Sequence, residues 1–328
     1  MVEINVLILS AGRRVELVKL FQRAAKKLNI KSKVIAGDCS DLAPALYVAD
    51  KSYKLPRIHH PDYIKKIIEI CTEENISLVV PTIDTDLLLL AENRDVIEQN
   101  TNAKVLISSL DVVKICRDKN KTHKFLQEHN FGVPKMFTMV ELLKDKNNIK
   151  FPLFIKPKSG SSSINTFKVN DLNELMFFYN YIEEPIIQEY IEGDEYTVDV
   201  FLDFNSKVIT VVPRLRLAVR SGEISKGKII KDKEIINDVI SLMENLKPIG
   251  HITVQLMKTK QDIKYIEINP RFGGGAPMSI ESGADSCENL FRLLMGETLK
   301  YNEEYKDNIT FLRFDCSICL NENMELVQ

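Results

Sequence analysis

The chain has 328 residues, 45% of them apolar and 27% charged, with a net charge of −2. That is enough material for two or three packed cores, in the proportions of an ordinary globular protein. The near-neutral charge, without any basic block, speaks against a nucleic-acid partner, and no apolar run reaches the ~18 residues that would argue for a membrane span.

Six cysteines, Cys39, Cys71, Cys116, Cys287, Cys316 and Cys319, are scattered as in a reducing cytoplasm, and the N-terminus enters a strand directly, without a signal peptide. Cys316-Ser-Ile-Cys319 is a single CxxC in a stretch that reads as a strand, where residues three apart face opposite sides. Lacking a second pair of ligands, it reads as structural rather than as a zinc site.

In chain order the elements are α/β first and α+β after. Residues 5–9 form a short aliphatic strand, followed by the turn Ser10-Ala-Gly12-Arg-Arg. Apolar residues at helical spacing predict a helix over 15–28, a strand over 32–36 and a helix over 62–71. A third strand over 78–81 runs into Thr82-Ile-Asp84-Thr-Asp86 and a helix over 87–98. This alternation predicts a doubly wound parallel sheet over residues 1–110, with ligands beyond the carboxyl ends of its strands, where Gly12, Asp84 and Asp86 lie. The two aspartates read equally as a substrate site or as caps of the next helix. The lone Gly12 lacks the further glycines of a nicotinamide site.

A second unit begins near Asp111. A helix over 112–129 contains Asp118 and Lys119, and a strand over 151–157 brings Lys156 to the edge of Lys158-Ser-Gly160-Ser161-Ser162-Ser163. A Gly/Ser loop leaves backbone N–H groups free for phosphate oxygens, and the lysine adds a point charge. Strands over 185–191 and 196–202 are separated by a break at Glu192-Gly-Asp-Glu195. A strand over 211–217 carries Arg214 and Arg216 on one face, with Arg220, Lys226 and Lys228 following, a cluster that reads equally as an anion site or as a solvated loop.

The most informative stretch is His251-Ile-Thr-Val-Gln255-Leu-Met with Tyr265-Ile-Glu267-Ile-Asn269-Pro-Arg271. As two strands, it puts Thr253, Gln255 and Met257 on one face and Val254 and Leu256 on the other. Tyr265, Glu267 and Asn269 share a face, opposed by Ile266 and Ile268. A loop centred on Gln261 sets Gln255 opposite Glu267, so one face is aliphatic and the other gathers hard oxygen donors suited to Mg²⁺ shared with phosphates. His251, nearby on the strand, reads as structural.

Taken together, the Q…E-x-N-P-R hairpin and the strand–Lys–Gly-rich loop resemble the ATP-grasp superfamily, in particular a single ATP-binding unit of carbamoyl-phosphate synthase large subunits, and biotin carboxylase. The resemblance implies an N-terminal α/β domain (1–110), an ATP-grasp domain of two α+β subdomains gripping ATP (111–300, with a small lid over about 118–188) and a C-terminal segment (301–328) packed on it. It implies that Lys119 and Lys156 contact ATP phosphates and that Gly160, Ser161, Ser162 and Ser163 form a lid loop. Glu189, Tyr190 and Ile191 would meet adenine, and Glu195 the ribose. Gln255, Glu267 and Asn269 would hold Mg²⁺, or Mn²⁺ in its place. Arg271, with Arg214 and Arg216, would contact the substrate or the transferring phosphoryl group. Phe-Gly-Gly-Gly-Ala after Arg271 departs from the synthases, which place a further arginine there.

One such unit has room for one ATP site and no glutaminase. The expected activity is that of a cytoplasmic ligase that activates an amino-acid-like carboxylate as an acyl phosphate for attack by an amine. Its partners would be small molecules, with a homodimer allowed. The alternatives are a carbamoyl-phosphate synthase-like or biotin-carboxylase-like component acting on bicarbonate, and a non-catalytic scaffold. A scaffold would not need Glu267, Asn269 and Arg271 together.

Overall fold

The computed structural model describes residues 2–158, 164–220 and 222–327. Strand β1 (Asn5–Leu9), helix α1 (Val15–Lys27), β2 (Val34–Asp38), β3 (Lys51–Lys54), α2 (Tyr63–Glu73), β4 (Ile76–Pro81), α3 (Asp84–Asn100) and β5 (Lys104–Val105) build a parallel five-stranded sheet in the order β3-β2-β1-β4-β5. Every residue of β1 is buried, as in a strand covered on both faces. β3 is largely exposed and polar and β5 is two residues long, so neither shows the apolar run that betrays a strand in sequence. The strand order reverses between β1 and β4, and the turns after these two strands open a crevice between them.

The single helix expected over 112–129 is two. Helices α4 (Leu110–Arg117) and α5 (Lys119–Glu128) meet at Asp118, which is extended (φ −115°, ψ 113°). Its carboxylate accepts from the N–H groups of Asn120 and Lys121 at 2.9 and 3.2 Å, so a capping side chain breaks the helix and makes Lys119 the first residue of the next. Next come β6 (Met136–Phe137), α6 (Met139–Lys144), β7 (Leu153–Pro157), β8 (Phe167–Val169), α7 (Leu172–Tyr181) and β9 (Pro185–Glu189). They form a four-stranded antiparallel sheet, β6-β9-β7-β8, whose core includes Leu142, Ile155, Val169, Leu175 and Ile187.

The largest sheet has six antiparallel strands in the order β14-β13-β10-β11-β12-β15. Its elements are β10 (Asp194–Leu202), β11 (Val208–Arg220), β12 (Glu223–Ile229), α8 (Lys233–Leu246), β13 (Gly250–Lys258), β14 (Ile263–Asn269), α9 (Ala276–Glu281), α10 (Ser286–Leu294) and β15 (Thr310–Leu312). Helix α8 buries Ile235, Ile236, Val239 and Leu242 against Val198, Val254 and Leu256. Phe21 of α1 meets Phe272 and Phe291 edge-on, both at 6.0 Å between ring centres, which joins the N-terminal sheet to this one in a common core. Cys316 and Cys319 fall beyond β15, outside any strand and both exposed, which corrects the strand expected there.

The β13–β14 hairpin holds a second correction. Met257 pairs with Lys264 and Leu256 with Tyr265, after which the register slips, so that Gln255 pairs with Glu267 and Thr253 with Asn269. Ile266 is the extra residue of a β-bulge. The Gln255–Glu267 pairing is as expected, but strict alternation through Tyr265 is not. Tyr265, 1% exposed, joins Val254, Leu256 and Ile268 in the aliphatic core, while Ile266 is half-buried and outside that cluster. Tyr265→Ala should therefore cost about 3–5 kcal/mol in urea unfolding, and Ile266→Ala less than about 1.5 kcal/mol. Equal losses at the two positions would contradict the bulge.

Candidate active site

A cleft of about 620 Å³ lies between the N-terminal sheet and the polar face of the β13–β14 hairpin. It is lined by Lys119, Lys158, Gln255, Glu267 and Asn269, and also by Arg14, Asp84, Glu223 and Gly274. Glu267 is the only carboxylate among the three oxygen donors proposed from sequence. Burial raises its pKa and Asp84 adds to this, while Lys119, Arg271 and Lys156 oppose it. Gln255 donates its amide to Glu267 Oε2 at 3.1 Å and offers its oxygen to Arg216 Nη1. Its oxygen is thus engaged by a cation, which leaves Glu267 and Asn269 as the donors that face the cleft. Among the described residues no group of three or more His, Cys, Asp or Glu side chains is placed to hold a metal, so a cation here needs ligand oxygens to complete its shell. One carboxylate and one carboxamide beside several lysines and arginines suit a divalent ion carried in on phosphates.

The cations sit where the elements place them. Lys156, on β7, is buried, and its pKa is pulled down to about 8 by burial and then by Lys119, against the pull of Glu267. Lys119, at the start of α5, donates to the Pro157 carbonyl at 3.3 Å, and burial lowers its pKa too. Arg214 is 1% exposed and donates from Nη2 to Asp199 at 2.9 Å, whereas its Nε and Nη1 have no hydrogen-bond partner among the described residues. A Cβ on Gly275 would overlap Arg214 Nη1, and a Cβ on Gly274 would lie 2.7 Å from Arg14 Nη1 and from Glu223. The glycine run thus lets the backbone pass between these charged groups. Arg216 reaches Glu195 at 3.1 Å and the Gly222 carbonyl at 2.9 Å.

Asp199 anchors this wall. It accepts from Arg214, from Ser279 at 2.5 Å and from Thr253 at 3.2 Å, and it lies 3.4 Å from His251 Nε2. Burial alone would raise its pKa, but Arg214, His251 and Ser279 more than offset this and hold the carboxyl well below the usual range. His251 also bonds Ser286 at 3.0 Å and stacks on Phe272 at 4.3 Å, which is the structural role its sequence position suggested.

The two aspartates at the end of β4 separate. Asp84 takes a two-pronged contact from Arg271, 3.0 Å from Nε and 2.5 Å from Nη2, while Arg271 Nη1 donates to the Phe272 carbonyl. Arg271, expected to touch substrate, is here a clamp between the two domains. Asp86 is 1% exposed, and burial pushes its pKa up to about 6, against the pull of the nearby Ser10 hydroxyl. It faces the interior rather than the cleft. Asp38 closes the Gly12 turn by accepting from the N–H groups of Gly12 and Ser40, both at 2.8 Å.

Beside the cleft, Val133, Met136, Ile186, Gln188 and Ile266 line a narrow slot that also meets Lys119 and Lys156. The connection from β9 to β10 lies close by. Glu189 is tied to Lys135, its N–H donating to the Lys135 carbonyl at 2.9 Å and its carboxylate accepting from the Lys135 N–H at 2.8 Å. Tyr190 sits under the Lys168 ammonium at 4.3 Å, and Ile191 precedes β10. Gly160, Ser161, Ser162 and Ser163 lie outside the described residues. Sequence reading missed Arg14, Glu223 and the slot residues. Arg14 carried a usable signal, since it follows the turn at the carboxyl end of β1; the slot residues are ordinary apolar residues that only folding gathers.

Residues 6–106 match the PylC-like N-terminal domain family and residues 116–275 the ATP-grasp domain family. D-alanine–D-alanine ligase B of Clostridium perfringens is 28% identical over 208 residues, spanning 56% of this chain and 68% of that one. The carbamoyl phosphate synthase large chain of a Thermoanaerobacter species is 28% identical over 216 residues, 60% of this chain but 20% of the synthase. The biotin carboxylase domain dimer of Hydrogenobacter thermophilus 2-oxoglutarate carboxylase, solved with MgADP, ADP and bicarbonate, superposes with a TM-score of 0.73 over 93% of this chain and 73% of that one, at 16% identity, a likeness of fold. Among the described residues no helix is long and apolar enough to cross a membrane. With both regions matched and the cleft between them lined as described, this chain carries an ATP-grasp domain behind a PylC-like N-terminal domain.

Proposed function

We propose that this ATP-grasp enzyme uses ATP and Mg²⁺ to activate a small, amino-acid-like carboxylate as an acyl phosphate, which an amine then converts to an amide. The observation that carries this reading is one cleft lined by Glu267, Asn269 and Lys119, with the unpaired face of Arg214 beside Gly275 in its wall. A carboxylate oxygen attacks the γ-phosphorus and ADP leaves. The amine then attacks the carbonyl carbon, phosphate departs, and the amine gives up its proton. This chemistry asks mainly for positioning and charge neutralisation.

In this reading Mg²⁺ would be held by Glu267 and Asn269 with phosphate oxygens and would neutralise the polyphosphate. Lys119 and Lys156 balance charge on the phosphates, and the slot of Met136, Ile186 and Ile266 takes the purine ring next to Glu189, Tyr190 and Ile191. Glu195, paired with Arg216, faces the ribose. Arg214 Nη1 and Nε meet the carboxylate or the phosphoryl group in transit, and Arg271 acts by holding Asp84 and the N-terminal domain in place. The partners are the carboxylate and the amine. A homodimer is compatible with this reading. Free, dispersed cysteines support a cytoplasmic setting.

Glu267→Gln should lower Mg²⁺-dependent ADP release by at least about a hundredfold. Its melting temperature should be equal or higher, because burial already disfavours the charge that is removed. Turnover within a few-fold of the unmodified protein would take Glu267 out of the metal site.

Lys156 makes a further test. In the free protein its pKa is about 8 rather than the ordinary 10.5, and bound phosphates favour its charged form. Nucleotide binding above pH 8 should therefore take up a proton, and affinity should fall as pH rises through that value. Calorimetry in two buffers of different ionisation enthalpy measures the uptake, which Lys156→Arg should abolish. Affinity that is constant from about pH 7 to about pH 9.5, with no proton uptake, would place Lys156 away from the phosphates.

A further inference from the structure

The reaction cleft continues past the N-terminal domain. It shares Glu223, Ile224, Gly274 and Gly275 with a second, partly open cavity of about 750 Å³, bordered by α1, the β12–β15 edge and the segment that follows β15. We propose that this compartment holds the body of the activated carboxylate, and that this body is an elongated, mainly apolar chain. The proposal rests on the ligase reading above and specifies its substrate.

Three observations carry it. The two cavities meet at Gly274 and Gly275, where the side-chain ends of Arg14, Glu223 and Arg214 take up the space that a Cβ would need. Arg14 and Glu223 meet there at 3.6 Å through the ends of flexible side chains, so an acyl chain that displaces this contact passes from the arginine wall into the second cavity. The size is that of a ligand pocket, since about 300–1,000 Å³ commonly houses a drug-sized molecule. Bicarbonate or a two-carbon acid would leave almost all of it unfilled.

The lining sets the chemistry. Val15, Val48, Pro277, Met278, Leu312 and Phe314 supply apolar surface, and Leu312 and Phe314 are 68% and 86% exposed. Most of the charges around them are already paired. Arg220 meets Asp315 at 2.6 Å, Arg313 meets Glu223 at 3.2 Å and Arg23 meets Glu281 at 2.5 Å. Arg13 and Lys19 are exposed to solvent. The compartment thus offers hydrophobic burial without an unmatched buried charge. The Arg220–Asp315 and Arg313–Glu223 pairs also strap the segment after β15 along its edge.

The test uses straight-chain carboxylates and 2-amino carboxylates of two to ten carbons, with ATP, Mg²⁺ and hydroxylamine to trap the acyl phosphate as a hydroxamate. Catalytic efficiency should rise about three- to fourfold per methylene until the compartment is full. Ser225→Trp fills this cavity from a wall position outside the ATP and metal groups. It should erase the gain for long chains, leave short ones unchanged and keep the melting temperature. Equal efficiency for short and long chains, or a chain-length preference that survives Ser225→Trp, would overturn the compartment while leaving the ligase reading intact. Hydroxamate from no member of the series, in a protein that binds one MgADP per chain, would also overturn it. Failure to bind MgADP at all would instead sink the ligase reading.

Discussion

The site depends on a buried ion pair. Asp199 on β10 and Arg214 on β11 are each about 1% exposed and meet at 2.9 Å in the middle of the six-stranded sheet. Desolvating both charges is expensive and is offset only because Asp199 is further bonded by Ser279 and Thr253, with His251 alongside. The result is a fixed guanidinium with one edge satisfied and the other unpaired against Gly275. A buried donor without a partner is costly to keep, and a polar ligand arriving from the cleft would relieve that cost. Strand pairing sets its position, so the donor is in place before substrate arrives, which is where electrostatic catalysis is most effective.

Two further constraints turn this wall into a site. The bulge at Ile266 sends Tyr265 into the core while keeping Glu267 opposite Gln255, so one hairpin supplies both a packed face and the carboxylate of the cleft. The Asp84–Arg271 contact then ties the N-terminal domain to the end of that hairpin, and the common core around Phe21, Phe272 and Phe291 holds the two from behind. The cleft is therefore an interdomain one, where small-molecule sites tend to form.

Much of this was legible in the sequence because it rests on local patterns. Periodicity marked β1, α1 and β4 and the alternation that makes a parallel sheet, and the hairpin disclosed Glu267 and Asn269 by spacing alone. The Gln255–Glu267 pairing emerged although the loop was placed half a residue off, since the bulge at Ile266 compensates. What stayed hidden was set by tertiary context. The break at Asp118 is a contest between one capping side chain and a helical pattern. The capture of Arg271 by Asp84 joins residues 187 apart. The burial of Asp86, the engagement of the Gln255 oxygen by Arg216, and the meeting of Arg14 with Glu223 likewise appear only once the two domains are packed together.

In the proposed reaction a carboxylate takes the γ-phosphoryl group of ATP in this cleft. The most direct measurement supplies the best-stimulating carboxylate labelled with ¹⁸O in both oxygens and follows the label during turnover with an amine. Acyl-phosphate chemistry predicts that one labelled oxygen appears in inorganic phosphate for each ADP formed. Phosphate released without label, alongside ligated product, would contradict the account.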